Sequence, residues 1–471
     1  MPIDLSQPLA WRQASPEERQ LLQDLQANIL KGHGRRHTAQ LFLRFDEPVA
    51  ARAWVHRTAR QVTSALKQLK DSQAFQRSGK PAGLVTLLCL SHAGYQALAV
   101  ADKKIPHDPA FIEGMAARRA ALNDPAPRSW DEHLRGPLHA LVLLADATPA
   151  ALQRGRKALL ASLPAGVVLA GEESGSGMAS QLSPGEGVEH FGYVDGRSQP
   201  LMLQEDIERE RDRRDGSSVW DPAVGLDIAL VKDPGGGSPH SFGSYLVFRK
   251  LEQNVRAFHQ AEARVAQALG LKGDGLARAG AMMVGRFRDG TPLVLQGAPG
   301  MNHPVPNNFD FLDDPEGAKC PFHAHVRKAN PRGETGALGA TIEQERAHLM
   351  PRRGIPYGRR SHAPDDPQLK PADLPTAGVG LLFMAYQANI ARQFEFTQAS
   401  WANNPLFAHA TPRTGIDPVI GQARSGGGQR CPLQWGGGAA TPRRAVDFHG
   451  FVTLKGGEYF FAPSISALKS L

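Results

Sequence analysis

Gln40 to Phe45, apolar between and beyond its two polar positions, reads as a strand, and Trp54, Thr58, Val62, Leu66 and Leu69 then recur at helical spacing. The same order returns in the second half, with Ser244 to Phe248 as the strand and Leu251, Val255, Phe258, Val265 and Leu269 marking the helix. A second pairing repeats as well: GLVTLLCLSHAGYQAL from Gly83 resembles GVGLLFMAYQANIARQF from Gly378. Duplication of a strand-helix-strand unit is the economical explanation. His139 to Leu144 supplies a further strand before the helix-like PAALQRGRKALLASL, and Phe451–Leu454 with Glu458–Phe461 around a Lys-Gly-Gly turn predict a hairpin.

Between the two halves the pattern breaks. EDIERERDRRD, from Glu205 to Asp215, is almost entirely charged, and PGGGSP, from Pro234 to Pro239, has nothing to bury, so both read as surface connection. The organisation expected is therefore a unit over 1–215, a linker over 216–241 and a second unit over 242–471. Strands that alternate with amphipathic helices, yet are also joined by hairpins, predict an α+β fold of antiparallel sheets with peripheral helices. Two tandem ferredoxin-like domains are the sharpest form of that expectation.

Composition narrows the class. A chain of 471 residues with 41% hydrophobic content is long enough for two or three cores. Its 54 basic and 46 acidic residues leave a net charge of +8, a small excess without the concentrated basic stripe that nucleic-acid binding requires. Cys89, Cys320 and Cys431 are too few and too far apart for a disulfide framework, and no CxxC or CxxCH is present, which argues against structural zinc and covalently attached haem. The N-terminus lacks a basic region followed by an apolar core, and the longest apolar runs, such as Leu141 to Ala145, are far too short to span a bilayer. A cytoplasmic protein with no membrane contact is expected.

The candidate chemistry lies between Cys320 and Gly358, in CPFHAHVRKANPR and RRGIPYG. His325 is a plausible axial ligand for haem iron, and Arg352 a fixed cation that could face the same iron from the other side. His323 stands two positions from His325, and on an extended segment both would point the same way, so spacing does not choose between them. The context after His325 favours it, because Arg327, Lys328 and Arg332 are cations suited to haem propionates. Cys320 is a competing thiolate ligand, ranked lower because a lone cysteine is usually a small buried hydrophobe.

His325 in HVRKANPR, Arg352 in RRGIPYG and Asp195 in FGYVDGRSQP together resemble the signature of the dye-decolorizing peroxidases, with the GxxDG pattern at Gly192 to Gly196 upstream of the histidine. The likeness runs from NILKGHG at Asn28 to the last strand, and NILKGHG, GIDPVIGQ and SWANN bring it nearest to the long, fungal-like members. The resemblance implies a dimeric α+β barrel-like fold and one non-covalent b-type haem per chain, held by His325 in the C-terminal unit. It implies hydrogen peroxide as oxidant and dyes, phenols or other aromatic molecules as one-electron donors. A carboxylate would orient His325: Asp417 in GIDPVIGQ is the choice by motif, with Glu395 in QFEF as its rival, and for Asp417 a turn aspartate before proline is an equal reading. Asp195 would be the distal acid–base group, Arg352 would stabilise charge during O–O cleavage, and Leu381 and Phe383 would form an apolar distal wall. Trp401 in SWANN is the candidate surface electron relay. An aspartate titrates near ~3.9 when unperturbed, so as a base it biases activity to acid pH. A haem carrier with little turnover is the alternative, for which His325 alone would suffice. The oligomeric state stays open.

Overall fold

The computed structural model describes residues 3–408, 414–422, 427–438 and 440–471. The first half contributes β1 (His37–Phe45), β2 (Val85–Leu90), β3 (Ala140–Asp146) and β4 (Val167–Ser176), paired antiparallel in the order β4-β1-β3-β2. The second contributes β5 (Phe242–Gln253), β6 (Ile355–Tyr357), β7 (Gly380–Gln387) and β8 (Val452–Ala462), in the order β6-β7-β5-β8. Taken in chain order, each half has its fourth strand beside its first and its third beside its second or first. Each is thus a four-stranded ferredoxin-like sheet. The two join edge to edge, β4 to β6 through Gly175 and Tyr357 and β2 to β8 through Leu90 and Phe461, so the sheet closes into an α+β barrel. Closure leaves no long strand edge unpaired.

The pleat sorts side chains between two cores. Phe42, Leu87, Leu141, Leu246, Leu382 and Phe460 join one cluster, and Leu41, Leu88, Val142, Val247, Ala385 and Phe461 the other. The second cluster is covered by helices Pro48–Thr58, through Trp54 and Val55, and Pro149–Ala161, through Leu159. A third cluster packs helices Val255–Ala268 and Leu276–Val284 against Phe191 and Tyr193, and so backs the segment that carries Asp195.

Several local expectations change. The helix expected through Trp54 and Leu69 is two helices, Pro48–Thr58 and Ala65–Ser78, because the Ser64 hydroxyl accepts the Lys67 N–H and starts a new helix. The expected C-terminal hairpin is one continuous strand, β8: Lys-Gly-Gly forms a bulge, with Gly456 at φ 136°, and pairing to β5 continues on both sides. The likeness of the Gly83 and Gly378 segments does not mark equivalent positions, since Val85–Leu90 is the second strand of its half and Gly380–Gln387 the third. The charged stretch forms the helix Gln204–Arg211, which buries Ile207 and Glu210. The 216–241 interval is likewise more than a solvated linker, because Leu226, Ala229 and Leu230 enter the first core. Among the described residues no helix is long and apolar enough to cross a membrane.

Candidate active site

The long connections of the second half supply most of one cavity, of about 310 Å³. His325 enters from the segment between β5 and β6, as the first residue of the short helix His325–Ala329, and lines the cavity with Val326 and Ala329. Its Nδ1 lies 2.8 Å from Asp417 Oδ2. Asp417 comes from the connection between β7 and β8 and is wholly buried, and its Oδ1 accepts the N–H groups of Val419 (2.7 Å) and Ile420 (2.9 Å). Burial alone would raise the Asp417 pKa, but the His325 imidazole and these amides hold it below the usual carboxylate range. Burial would depress His325, yet the charge and hydrogen bond of Asp417 outweigh it and raise its pKa. A carboxylate on Nδ1 fixes the proton there and leaves the Nε2 lone pair as the ligand atom.

The same cavity is lined by Asp195, Ser198, Gln199, Arg352, Leu381 and Phe383. Asp195 ends the strand Val194–Asp195 of a small hairpin and is exposed, and its Oδ1 accepts the Gly196 N–H at 2.7 Å. Arg352 precedes β6; its N–H donates to Gln199 Oε1 (2.9 Å) and its guanidinium to the Ser198 carbonyl (2.5 Å). Burial lowers the Arg352 pKa and the charge of Asp195 opposes that shift, but a guanidinium stays protonated in proteins. Among the described residues no carboxylate lies within ion-pair distance of Arg352, so its charge is directed at the cavity.

A family model described as the DyP dimeric alpha+beta barrel domain matches residues 24–175. The multifunctional dye peroxidase DyP2 of Amycolatopsis sp. (strain ATCC 39116 / 75iv2) is 47% identical over 478 residues, covering 100% of both chains. The chain belongs to the dye-decolorizing peroxidases. The solved structure of DyP2 from Amycolatopsis sp. ATCC 39116 superposes with a TM-score of 0.95 at 46% identity, covering 100% of each chain. The DyP-type peroxidase of Anabaena sp. superposes at 0.90 with 38% identity, over 98% of this chain and 96% of that one. The fungal dye-decolorizing peroxidase msp1 of Mycetinis scorodonius is 29% identical over 96% of this chain and 87% of its own. The chain is therefore a peroxidase of the DyP type.

Dye-decolorizing peroxidases are haem enzymes, and the residues present fit that group. His325 offers Nε2 between apolar walls that include Val326, Leu381, Phe383 and Ile420. Arg286, only 4% exposed, uses one terminal nitrogen on the carbonyls of Gly290 and Pro306 (2.8 Å each), while its other has no partner among the described residues. With no carboxylate in ion-pair contact, burial drives its pKa down to about 9. A buried, unpaired guanidinium on a cavity wall calls for an anionic partner, and a haem propionate is one.

In this dye-decolorizing peroxidase the three cations after His325 do not line the cavity, contrary to the propionate expectation. Arg327 is 1% exposed and holds Asp314 (2.9 Å) and Glu334 between the rings of Phe311 and Phe322. Lys328 donates to the carbonyls of Trp401, Asn404 and Phe407, and Arg332 to those of Asn307 and Phe309. The reason is the helix: one turn places Val326 and Ala329 with His325 and sends Arg327 and Lys328 elsewhere. Glu395 is not beside His325 either; it pairs with Arg118 (2.5 Å) and accepts the Tyr459 hydroxyl (3.0 Å). His323 is buried against Phe448 and Cys431, with a pKa driven by burial to about 3, and Cys320 is buried outside the cavity. Trp401 is 4% exposed and stacked on Phe407 at 5.3 Å, so it is no surface residue. Arg286 and Glu189 carry no motif that sequence reading could use, whereas Gln199 lies within FGYVDGRSQP and was passed over.

Proposed function

We propose that this chain reduces hydrogen peroxide at one non-covalently bound b-type haem and oxidises dyes, phenols or other aromatic donors in one-electron steps. The observation that carries the reading is the convergence of His325, held by Asp417, with Asp195 and Arg352 on one apolar cavity. The names of the relatives, a multifunctional dye peroxidase and a dye-decolorizing peroxidase, support the donor class. When bound, the haem would supply the iron at which peroxide is cleaved and to which the donor's electrons are delivered.

The chain's own residues divide the remaining work. His325 presents Nε2, made more basic by Asp417 at Nδ1. Asp195 has Oδ1 engaged by the Gly196 amide, which leaves Oδ2 to take a proton from the near oxygen of peroxide and return it to the departing one. Arg352 keeps guanidinium N–H groups beyond its bond to Ser198 for the negative charge that develops as the oxygens separate. The apolar wall of Leu381 and Phe383 excludes water and strengthens both effects.

The test is stopped-flow mixing of ferric holoenzyme with peroxide. Asp195→Asn is expected to lose about 10²- to 10⁴-fold in the bimolecular rate constant and Arg352→Leu about 10²- to 10³-fold. His325→Ala is expected to lose the native absorption spectrum. Wild-type rates in both distal variants would overturn the assignment, and a normally ligated haem in His325→Ala would overturn the ligand.

A further inference from the structure

Asp195 sits on a hairpin too short to hold its own place. The strands Gly187–Val188 and Val194–Asp195 are two residues each, and their pairing ends at Gly187 opposite Asp195. A third strand of two residues, Met178–Ala179, pairs with Gly187–Val188 on its other side, and a sheet this small has little stability of its own. What closes it is Glu189, whose side chain fills the tip. Glu189 Oε2 accepts the Phe191 N–H (2.8 Å), Oε1 accepts the Tyr193 N–H (3.1 Å), and the Glu189 N–H donates to the Tyr193 carbonyl (3.1 Å). A further donor arrives from the barrel: Gln253 Nε2, at the end of β5, donates to Glu189 Oε2 at 2.6 Å. Glu189 and Gln253 both lie on the cavity wall. Since β5 pairs with β7 on one side and β8 on the other, Gln253 is attached to the stiffest part of the molecule. The Tyr193 hydroxyl adds a second tether, to Glu262 on helix Val255–Ala268 at 2.5 Å.

We infer that Glu189 is a positioning residue for peroxide cleavage, pinning the Asp195 hairpin to the barrel through Gln253. This rests on the reading of Asp195 as the acid–base group. Burial pushes the Glu189 pKa up to about 7 against the pull of its three donors, so near neutral pH and above the carboxylate form lets each oxygen accept. A glutamine in its place would set its own NH₂ against one of those donors: with its oxygen toward Phe191 and Gln253, the amide faces the Tyr193 N–H, two residues before Asp195. The polarity can be restored only across the tether. With Glu189→Gln and Gln253→Glu together, the amide introduced on the hairpin donates to the carboxylate introduced on β5 and its oxygen accepts from Tyr193, while the Phe191 N–H is left facing the amide.

The experiment uses holoenzyme and two readouts: the bimolecular rate constant with peroxide, and hydrogen–deuterium exchange of the peptide spanning residues 186–196. Glu189→Gln is expected to lower the rate constant roughly 10- to 100-fold, the scale of an ångström-level misplacement. It should leave haem content and the KM for a small aromatic donor unchanged, and speed exchange at the hairpin tip. The double swap should recover part of the rate and part of the protection together, because the tether to β5 returns while the Phe191 N–H stays without its acceptor. Gln253→Leu, which removes the barrel tether but keeps the carboxylate, should give a smaller loss in the same direction, and decides the matter if Glu189→Gln fails to load haem. A wild-type rate in the variant tested overturns the inference. So does a rate loss without faster exchange, or a double swap that regains protection but not rate, since Glu189 would then act by its own proton. Asp195→Asn is run alongside: a wild-type rate there refutes the role of Asp195, while exchange still reports whether the clamp exists.

Discussion

Arg352 and Arg353 are neighbours with opposite duties. Arg353 donates to the carbonyls of Asn28 (2.8 Å) and Ile29 (2.9 Å), tying down the NILKGHG segment, whereas Arg352 faces the cavity. Successive side chains in extended backbone point to opposite sides, so the pair reads as one structural and one chemical residue. Arg353→Met is expected to cost about 1–3 kcal/mol in urea unfolding by stranding buried carbonyls, with peroxide reactivity per loaded haem preserved. Asp417 is the other single residue on which much depends. Asp417→Asn removes the charge that raises His325, and about 10- to 100-fold weaker haem retention is expected, measured as transfer to apomyoglobin. Asp195, His325 and Arg352 were legible in sequence because each sits in a short motif. Arg286 and Glu189 were not, since what matters about them is a contact made across the fold.

At the level of elements, short irregular pieces did the deciding. The turn from Asp417 to Gly421 closes with the Gly421 N–H on the Asp417 carbonyl at 3.0 Å. A Cβ at Gly421 would meet that carbonyl oxygen at 2.3 Å and the Ala402 oxygen at 3.1 Å, both backbone atoms unable to give way cheaply. Gly421→Ala is therefore expected to pull Asp417 from His325, with haem retention falling in the manner of Asp417→Asn and a stability loss of about 1–3 kcal/mol by thermal or urea unfolding. The helix His325–Ala329 shows the limit of pattern reading: by residue type VRKANPR suggested cations at the cofactor, but the fold commits them to buried carbonyls and carboxylates. The misread hairpin at Lys-Gly-Gly has a similar origin, because a bulge and a turn use the same glycines.

For the whole molecule, closure of two ferredoxin-like halves into one barrel puts buried polar groups where the halves meet. His190 is wholly buried; its Nε2–H donates to the Tyr357 carbonyl at 2.7 Å, and Nδ1 has no partner among the described residues. Burial lowers its pKa to about 4, with the Arg360 cation adding to the effect. An unfolded histidine takes up a proton below about pH 6.5, while this one stays neutral until about 4. Its contribution is thus intact above pH 6.5 and is lost as pH falls, by about 1.4 kcal/mol per unit and about 3 kcal/mol by pH 4. In urea unfolding at pH 7, 6 and 5, His190→Gln, which keeps the donor to Tyr357, should flatten that slope by the same amount. The acid-biased turnover proposed for Asp195 as base would be opposed by this acid-weakened folding.

Sequence by itself determined the strand and helix grammar, the duplication and the three motif residues of the pocket, because periodicity and tight motifs are properties of a few consecutive residues. Tertiary structure alone decided that the halves share one closed sheet, that Glu395 pairs with Arg118 instead of His325, that Arg327 turns away and that Trp401 is buried. Those outcomes depend on which distant segments compete for one donor or one cavity wall, and that competition is settled by packing and closure.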